Sequence, residues 1–193
     1  MLMLSSAALA VQESQQLGPY AVSFDMNTDL SYQVMVAEPI SAPAATIYSM
    51  QIFTDNNTIA RLNINQYKNA IDSTLDLYKQ LAVLNMAFYN SFNTTSVEDR
   101  TIDGKEGFLL VCEPFSYNTA APAGAVLYDA LFWLDSQDCE CGPVSVGTTS
   151  VQVTSSYPQA VTESLLSTLR VAEGQAAASS AATSASGQIL PPG

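Results

Sequence analysis

The densest group of chemically capable side chains is Asp135-Ser136-Gln137-Asp138-Cys139-Glu140-Cys141-Gly142, with Cys112 on a strand expected nearby. Two thiolates and three carboxylates would suit zinc or another borderline cation. A Cys-x-Cys pair with no second pair and no histidine is a weak metal signature, so the group is read as a disulfide beside a solvated acidic loop. In an oxidising compartment Cys112 would bridge to Cys139 or Cys141, closing a loop of about thirty residues and adding ~3 kcal/mol where geometry permits. Three cysteines leave one over, either a free thiol or an intermolecular joint.

The chain has no histidine. The commonest general base, the commonest metal ligand and the partner of Ser-His and Cys-His nucleophiles are therefore missing. Gly142-Pro143-Val144-Ser145-Val146-Gly147 misses the Gly-x-Ser-x-Gly elbow, because its first glycine stands one place too far from the serine. Neither Gly-x-Gly-x-x-Gly nor a phosphate loop with Gly-Lys-Ser/Thr occurs. Asp72 and Asp76 mimic a paired-carboxylate site on one helix face, but with Lys79 beside them they read as a solvated charged face. The tyrosines and phenylalanines fall mostly on apolar sides of strand and helix patterns and read as core rather than a carbohydrate-stacking platform. Tyr117 and Tyr157, near turns, are the two open to exposure. The expectation is a protein that is not an enzyme, with no catalytic residue, no cofactor site and no metal site.

At 193 residues the chain has room for one domain with loose ends. Only 12% of its residues are charged, so the surface must be largely neutral, and a formal net charge of -12 is the wrong sign for nucleic acid or an anionic membrane. Residues 1–17 open with Met-Leu-Met-Leu-Ser-Ser-Ala-Ala-Leu-Ala, an apolar stretch with a small-residue end. It resembles a signal peptide without its basic start, or else an apolar arm that pairs with a neighbour's sheet edge. It is too short to span a bilayer, which takes ~20 apolar residues. Residues 172–193 are Ala- and Ser-rich and read as a flexible tail. The acceptor triplets at Asn56 and Asn93 are possible N-glycosylation sites and fit an exported chain.

The elements that must position these groups lie in 18–171, read as a single domain. Tyr20, Val22, Phe24 and Met26 alternate as a half-buried strand does, and Tyr32, Val34 and Val36 follow. Strands over Thr46–Phe53 and Ile59–Ile64 flank a polar hairpin loop. Ile71, Leu75, Tyr78 and Ala82 then keep helical spacing, with Leu77, Leu81, Leu84 and Phe88 widening the stripe, which predicts a helix packed broadly onto a sheet. Asp72 and Ser73 are its expected cap and Asn85 its expected stop. Asp103-Gly104 predicts a tight type I′ hairpin, followed by a strand over Gly107–Cys112 buried on both faces and central in its sheet. Ala125–Asp135 and Val144–Thr154 read as strands. Pro158, Val161, Leu165 and Leu169 mark a last helix that Ser156 would cap. The order is α+β, with a mainly antiparallel sheet flanked by helices.

Several segments together carry a resemblance: Val22-Ser23-Phe24-Asp25, Ile102-Asp103-Gly104-Lys105, Phe132-Trp133-Leu134-Asp135, Ser155-Ser156-Tyr157-Pro158 and Leu165 to Val171. The chain resembles the PsbP-like α-β-α sandwich, and more closely small exported proteins of methanogenic archaea. These motifs are turn and packing signals, so the resemblance implies a fold and a non-enzymatic role outside the cytoplasm, at the cell surface or secreted. The function expected first is a structural or interaction module of the cell envelope with protein partners, including copies of itself. It would assemble into a layer, sheath or filament through strand edges, the apolar arm or the odd cysteine. The alternative is a monomeric accessory domain with a ligand pocket between helix and sheet.

Overall fold

The computed structural model describes residues 12–54, 58–71, 73–122, 124–135, 137–139, 142–145 and 147–174. In chain order the elements are β1 (Glu13–Leu17), β2 (Tyr20–Phe24), β3 (Gln33–Val36), β4 (Ile40–Ser41), β5 (Ala45–Phe53), β6 (Ile59–Tyr67), α1 (Leu75–Tyr89), β7 (Phe92–Ile102), β8 (Lys105–Pro114), β9 (Leu127–Trp133), β10 (Gln137–Cys139), β11 (Gly142–Ser145), β12 (Thr149–Ser155), α2 (Gln159–Thr168) and β13 (Arg170–Glu173). The fold is α+β, mainly antiparallel sheet with two helices. Its large sheet runs β3-β5-β6-β12-β9-β8-β7, with β4 also on β5, and a small sheet runs β1-β2-β13. Every strand pair in both is antiparallel. The fold reaches past the expected 18–171 at both ends, because β1 and β13 sit on either side of β2.

The two faces of the large sheet carry separate cores. On one, Met50, Ile52, Leu62, Ile64, Phe132, Val151 and Val153 meet Tyr20, Val22 and Phe24 of the small sheet and Leu165, Leu166 and Leu169 at α2. Each strand reaches this core through its alternate residues, the period of two that was legible from the start. On the other face, Phe108, Leu110, Cys112, Leu131 and Trp133 meet Met86 of α1, with Leu75, Tyr78, Ala82 and Val83 packed around them. β8 is buried on both sides because it faces both cores, but it lies next to the edge strand β7 rather than at the centre.

Local chemistry explains the boundaries. Asp103 and Gly104, with φ of 51° and 71°, form the whole loop between β7 and β8, the left-handed pair that a type I′ turn requires. The cap of α1 is Thr74, whose Oγ1 accepts from the Leu77 N–H at 3.3 Å, rather than Ser73; Asp72 lies outside the described residues. The helix runs past Asn85 to Tyr89, and Asn90 ends it, its Nδ2 donating back to the Asn85 carbonyl at 3.1 Å. At α2 the cap position is Pro158, and Ser156 ties β6 to the β12–α2 connection instead: its Oγ accepts from the Ile59 N–H and donates to the Ile59 carbonyl. The single strand expected over Val144–Thr154 is two, β11 and β12. Among the described residues, no helix is long and apolar enough to cross a membrane.

Candidate functional site

α1 stands over β7 and β8 and leaves the face of β6, β12 and β9 uncovered beside it. The widened stripe read from the sequence does not pack onto the sheet: Leu77, Leu84 and Phe88 are exposed on the far side of the helix, and Leu81, also exposed, stands at its groove flank. Between the helix flank and the open sheet face runs a groove of about 650 Å³.

The register composes its floor as cross-strand rows. Asn65 of β6 lies opposite Ser150 of β12, Asn63 opposite Gln152, and Arg61 opposite Thr154, which lies in turn opposite Asp129 of β9. Ser49 Oγ donates to Asn63 Oδ1 at 2.8 Å, and Asn65 Nδ2 to Ser150 Oγ at 3.2 Å, so neighbouring side chains hold one another in fixed orientations. Arg61 and Asp129 are two strands apart, ~10 Å between backbones, with Thr154 between them. From the helix side Tyr78, Asn85, Met86 and Tyr89 border the groove. Tyr67 and Tyr78 both rest on Trp133, stacked at 5.7 Å and edge-on at 5.2 Å, and this packing fixes their rings at the groove wall.

Asp129 is the chemically distinctive member. It is 1% exposed, in a strand whose other residues are apolar or aromatic. Gln152 Nε2 and Thr154 Oγ1 both donate to its Oδ1 at 2.9 Å, leaving Oδ2 outside both hydrogen bonds. Burial pushes its pKa up to about 6, against the lowering effect of those two donors. The groove therefore changes charge in a pH range where ordinary carboxylates do not. The sequence reading passed Asp129 over, although one signal could have found it: a lone carboxylate inside Leu-Tyr-Asp-Ala-Leu-Phe-Trp has no solvent face to occupy.

The expected site residues are not brought to this groove. Cys112 is a buried free thiol beneath the α1 side of the sheet, 3.5 Å from Thr94 Oγ1, with its pKa raised chiefly by burial. It lies opposite Leu127, and β10 leaves after the other end of β9, six residues or ~20 Å along the strand. Burial withholds Cys112 from any joint between molecules. The Cys139 side chain and Cys141, the two alternative partners of Cys112 in the expected disulfide, lie outside the described residues, as does Asn56. Asn93 is exposed on β7, in keeping with an accessible acceptor. Asp135 is already committed: Thr148 N–H and Oγ1 donate to its Oδ2 and the Thr149 N–H to its Oδ1, closing the base of the β10–β11 hairpin. Burial works to raise its pKa, but these donors prevail and hold it low. Asp76 pairs with Lys79 at 3.1 Å, as the solvated-face reading expected. Tyr117 is exposed, whereas Tyr157 is buried in the core. Among the described residues no three Cys, Asp or Glu side chains converge on a metal-sized site.

Of the two edges of the large sheet, β3 is mostly exposed and carries no charge, whereas β7 is guarded. β7 carries Glu98, Asp99 and Arg100; Asp99 pairs with Lys79 of α1 and Arg100 with Glu163 of α2, so both helices clasp it. A bulge between Thr94 and Ser96 breaks its register. Charge and irregularity of this kind discourage pairing with another strand. Comparison with known protein families, curated proteins and solved structures finds no match.

Proposed function

We propose that the chain is a non-enzymatic extracytoplasmic binding module that takes a small, polar, hydroxyl-rich ligand in the groove beside α1. The observation that carries this reading is the buried Asp129 carboxylate facing a groove whose other polar groups are oriented by one another. Such a group costs stability and gives none back in the ligand-free protein, whereas a ligand hydroxyl donating to Oδ2 would offset the cost. Asn63, Asn65, Gln152 and Asp129 supply oriented hydrogen-bonding partners, the exposed Arg61 adds donors at the rim, and the tyrosines supply apolar ring faces. Oriented polar groups set beside aromatic ring faces are what a site for a short neutral oligosaccharide needs. The apolar opening segment and the exposed acceptor at Asn93 support a location outside the cytoplasm. This is the ligand-binding alternative; assembly through the β7 edge has less support, because β7 is charged, bulged and clasped.

Saturation-transfer NMR with neutral di- and trisaccharides of glucose, mannose and N-acetylglucosamine tests it. Transfer to at least one of them is expected in the native chain and is lost in Asn63→Ala/Gln152→Ala. Silence across the panel, or transfer that persists in the double variant, would sink the proposal.

A further inference from the structure

We propose that α1 is also a self-association surface, through which two copies of the chain pair by their exposed helix faces. Leu77, Leu81, Leu84 and Phe88 follow one another at steps of four, three and four, the spacing of a coiled-coil seam rather than of scattered surface apolar residues. The helix already has an inner stripe of Leu75, Tyr78, Ala82 and Met86 on its own sheet. The seam lies on the opposite side, where no other element among the described residues covers it. Its leucines are 44–49% exposed and Phe88 76%. Together they leave on the order of 400 Å² of contiguous apolar surface open, within the range of the largest patch on a typical monomer, which is often functional.

A second copy fits this seam better than an acidic or basic partner does. Beside it lie Gln80 and Ala87 on one flank, where Asp76 at the N-terminal end is paired with Lys79, and the uncharged Asn85 on the other, although acidic residues outnumber basic ones 18 to 6 in the chain. A self-complementary patch on so acidic a protein must keep its own charges out of the contact, since each would meet its like across a twofold axis. Two fifteen-residue helices packed along their length cover on the order of 1,000 Å² in total, the lower end for a specific interface and suited to a dimer that forms at micromolar concentration. Leu81 belongs both to the seam and to the groove wall, so pairing brings the second copy to the mouth of the groove.

Sedimentation equilibrium of the full chain across the micromolar range tests this. The mass is expected to rise from 20.6 kDa toward twice that value. It is expected to rise further on going from ~0.1 M to ~1 M salt, where screening shortens from ~10 Å to ~3 Å and repulsion between two bodies of like charge fades. Leu84→Glu/Phe88→Glu changes two exposed side chains, so its circular dichroism is expected to match the native chain while its mass stays at the monomer value. Met35→Glu and Val97→Glu, on exposed positions of β3 and β7, are expected to leave the dimer intact. A native chain that stays monomeric at both salts, or a dimer that survives the seam variant and fails in a strand variant, would overturn the proposal.

Discussion

Replacing Asp129 with asparagine should make the protein more stable, and only above a defined pH. The carboxyl group titrates near pH 6 in the fold, against 3.8 for an unburied carboxylate. Between those values the folded chain holds a proton that the unfolded chain has released, so stability falls as pH rises through the window and levels off above it. About two pK units at 1.36 kcal/mol each amount to roughly 3 kcal/mol at pH 7. Asparagine never ionises, and its Oδ1 can keep accepting from Gln152 and Thr154, so the two hydrogen bonds survive the change. The difference between Asp129→Asn and the native protein should be near zero at pH 4, open through pH 5 and 6, and reach about 3 kcal/mol at pH 7. In a chain of this size that is about 6–12 °C in Tm. Urea denaturation at each pH measures it, and taking the difference removes the contribution of the other carboxylates, which titrate alike in both proteins. A variant less stable than the native chain at pH 7, or a difference that does not vary with pH, would refute the reasoning.

Three further substitutions or probes follow from local geometry. Thr74→Ala removes the side-chain acceptor for the Leu77 N–H and should lower stability by ~1 kcal/mol in a denaturation curve. Gly107→Ala places a Cβ 2.4 Å from the Leu131 carbonyl oxygen and 2.8 Å from Phe132 Cβ; because the nearest obstacle is backbone in the middle of the sheet, it should cost ~1–3 kcal/mol or prevent folding, seen as a lowered Tm or loss of soluble protein. Cys112, buried and with its thiol pushed up, should resist alkylation in the native state and react on unfolding; peptide mapping that finds it modified in folded protein would show that the α1 side of the sheet opens.

Much of the fold was legible because the informative residues speak locally. Asp103-Gly104 can hardly be other than a tight turn, and the alternation from Tyr20 to Phe24 assigns its own inner face. α1 shows where local reading ends. Its two apolar stripes lie on opposite sides of the helix, and periodicity alone merges them into one broad face; only the placement of the helix over β7 and β8 separates a core stripe from a bare one. β7 was harder still, since Asn93 to Thr101 is mostly Ser, Thr and charge, which in sequence looks like loop. The groove was the least legible. Arg61, Asn63 and Asn65 read as an ordinary solvent face of β6. What makes them a site is that β12, far along the chain, inserts between β6 and β9 and brings Gln152 and Thr154 up to Asp129.

The small sheet has a mechanical consequence. β1 enters with Glu13 opposite Phe24, and β13 leaves with Glu173 opposite Tyr20, so the chain arrives at one end of β2 and departs at the other. Tension on the flanking segments would slide β1 and β13 in opposite directions along β2 rather than peel either away. Interstrand hydrogen bonds run perpendicular to that motion, so they share the load together instead of failing one after another. Pulled by its ends, the domain should yield in a single high-force event, and stepwise unravelling from β1 in a single-molecule trace would contradict this geometry.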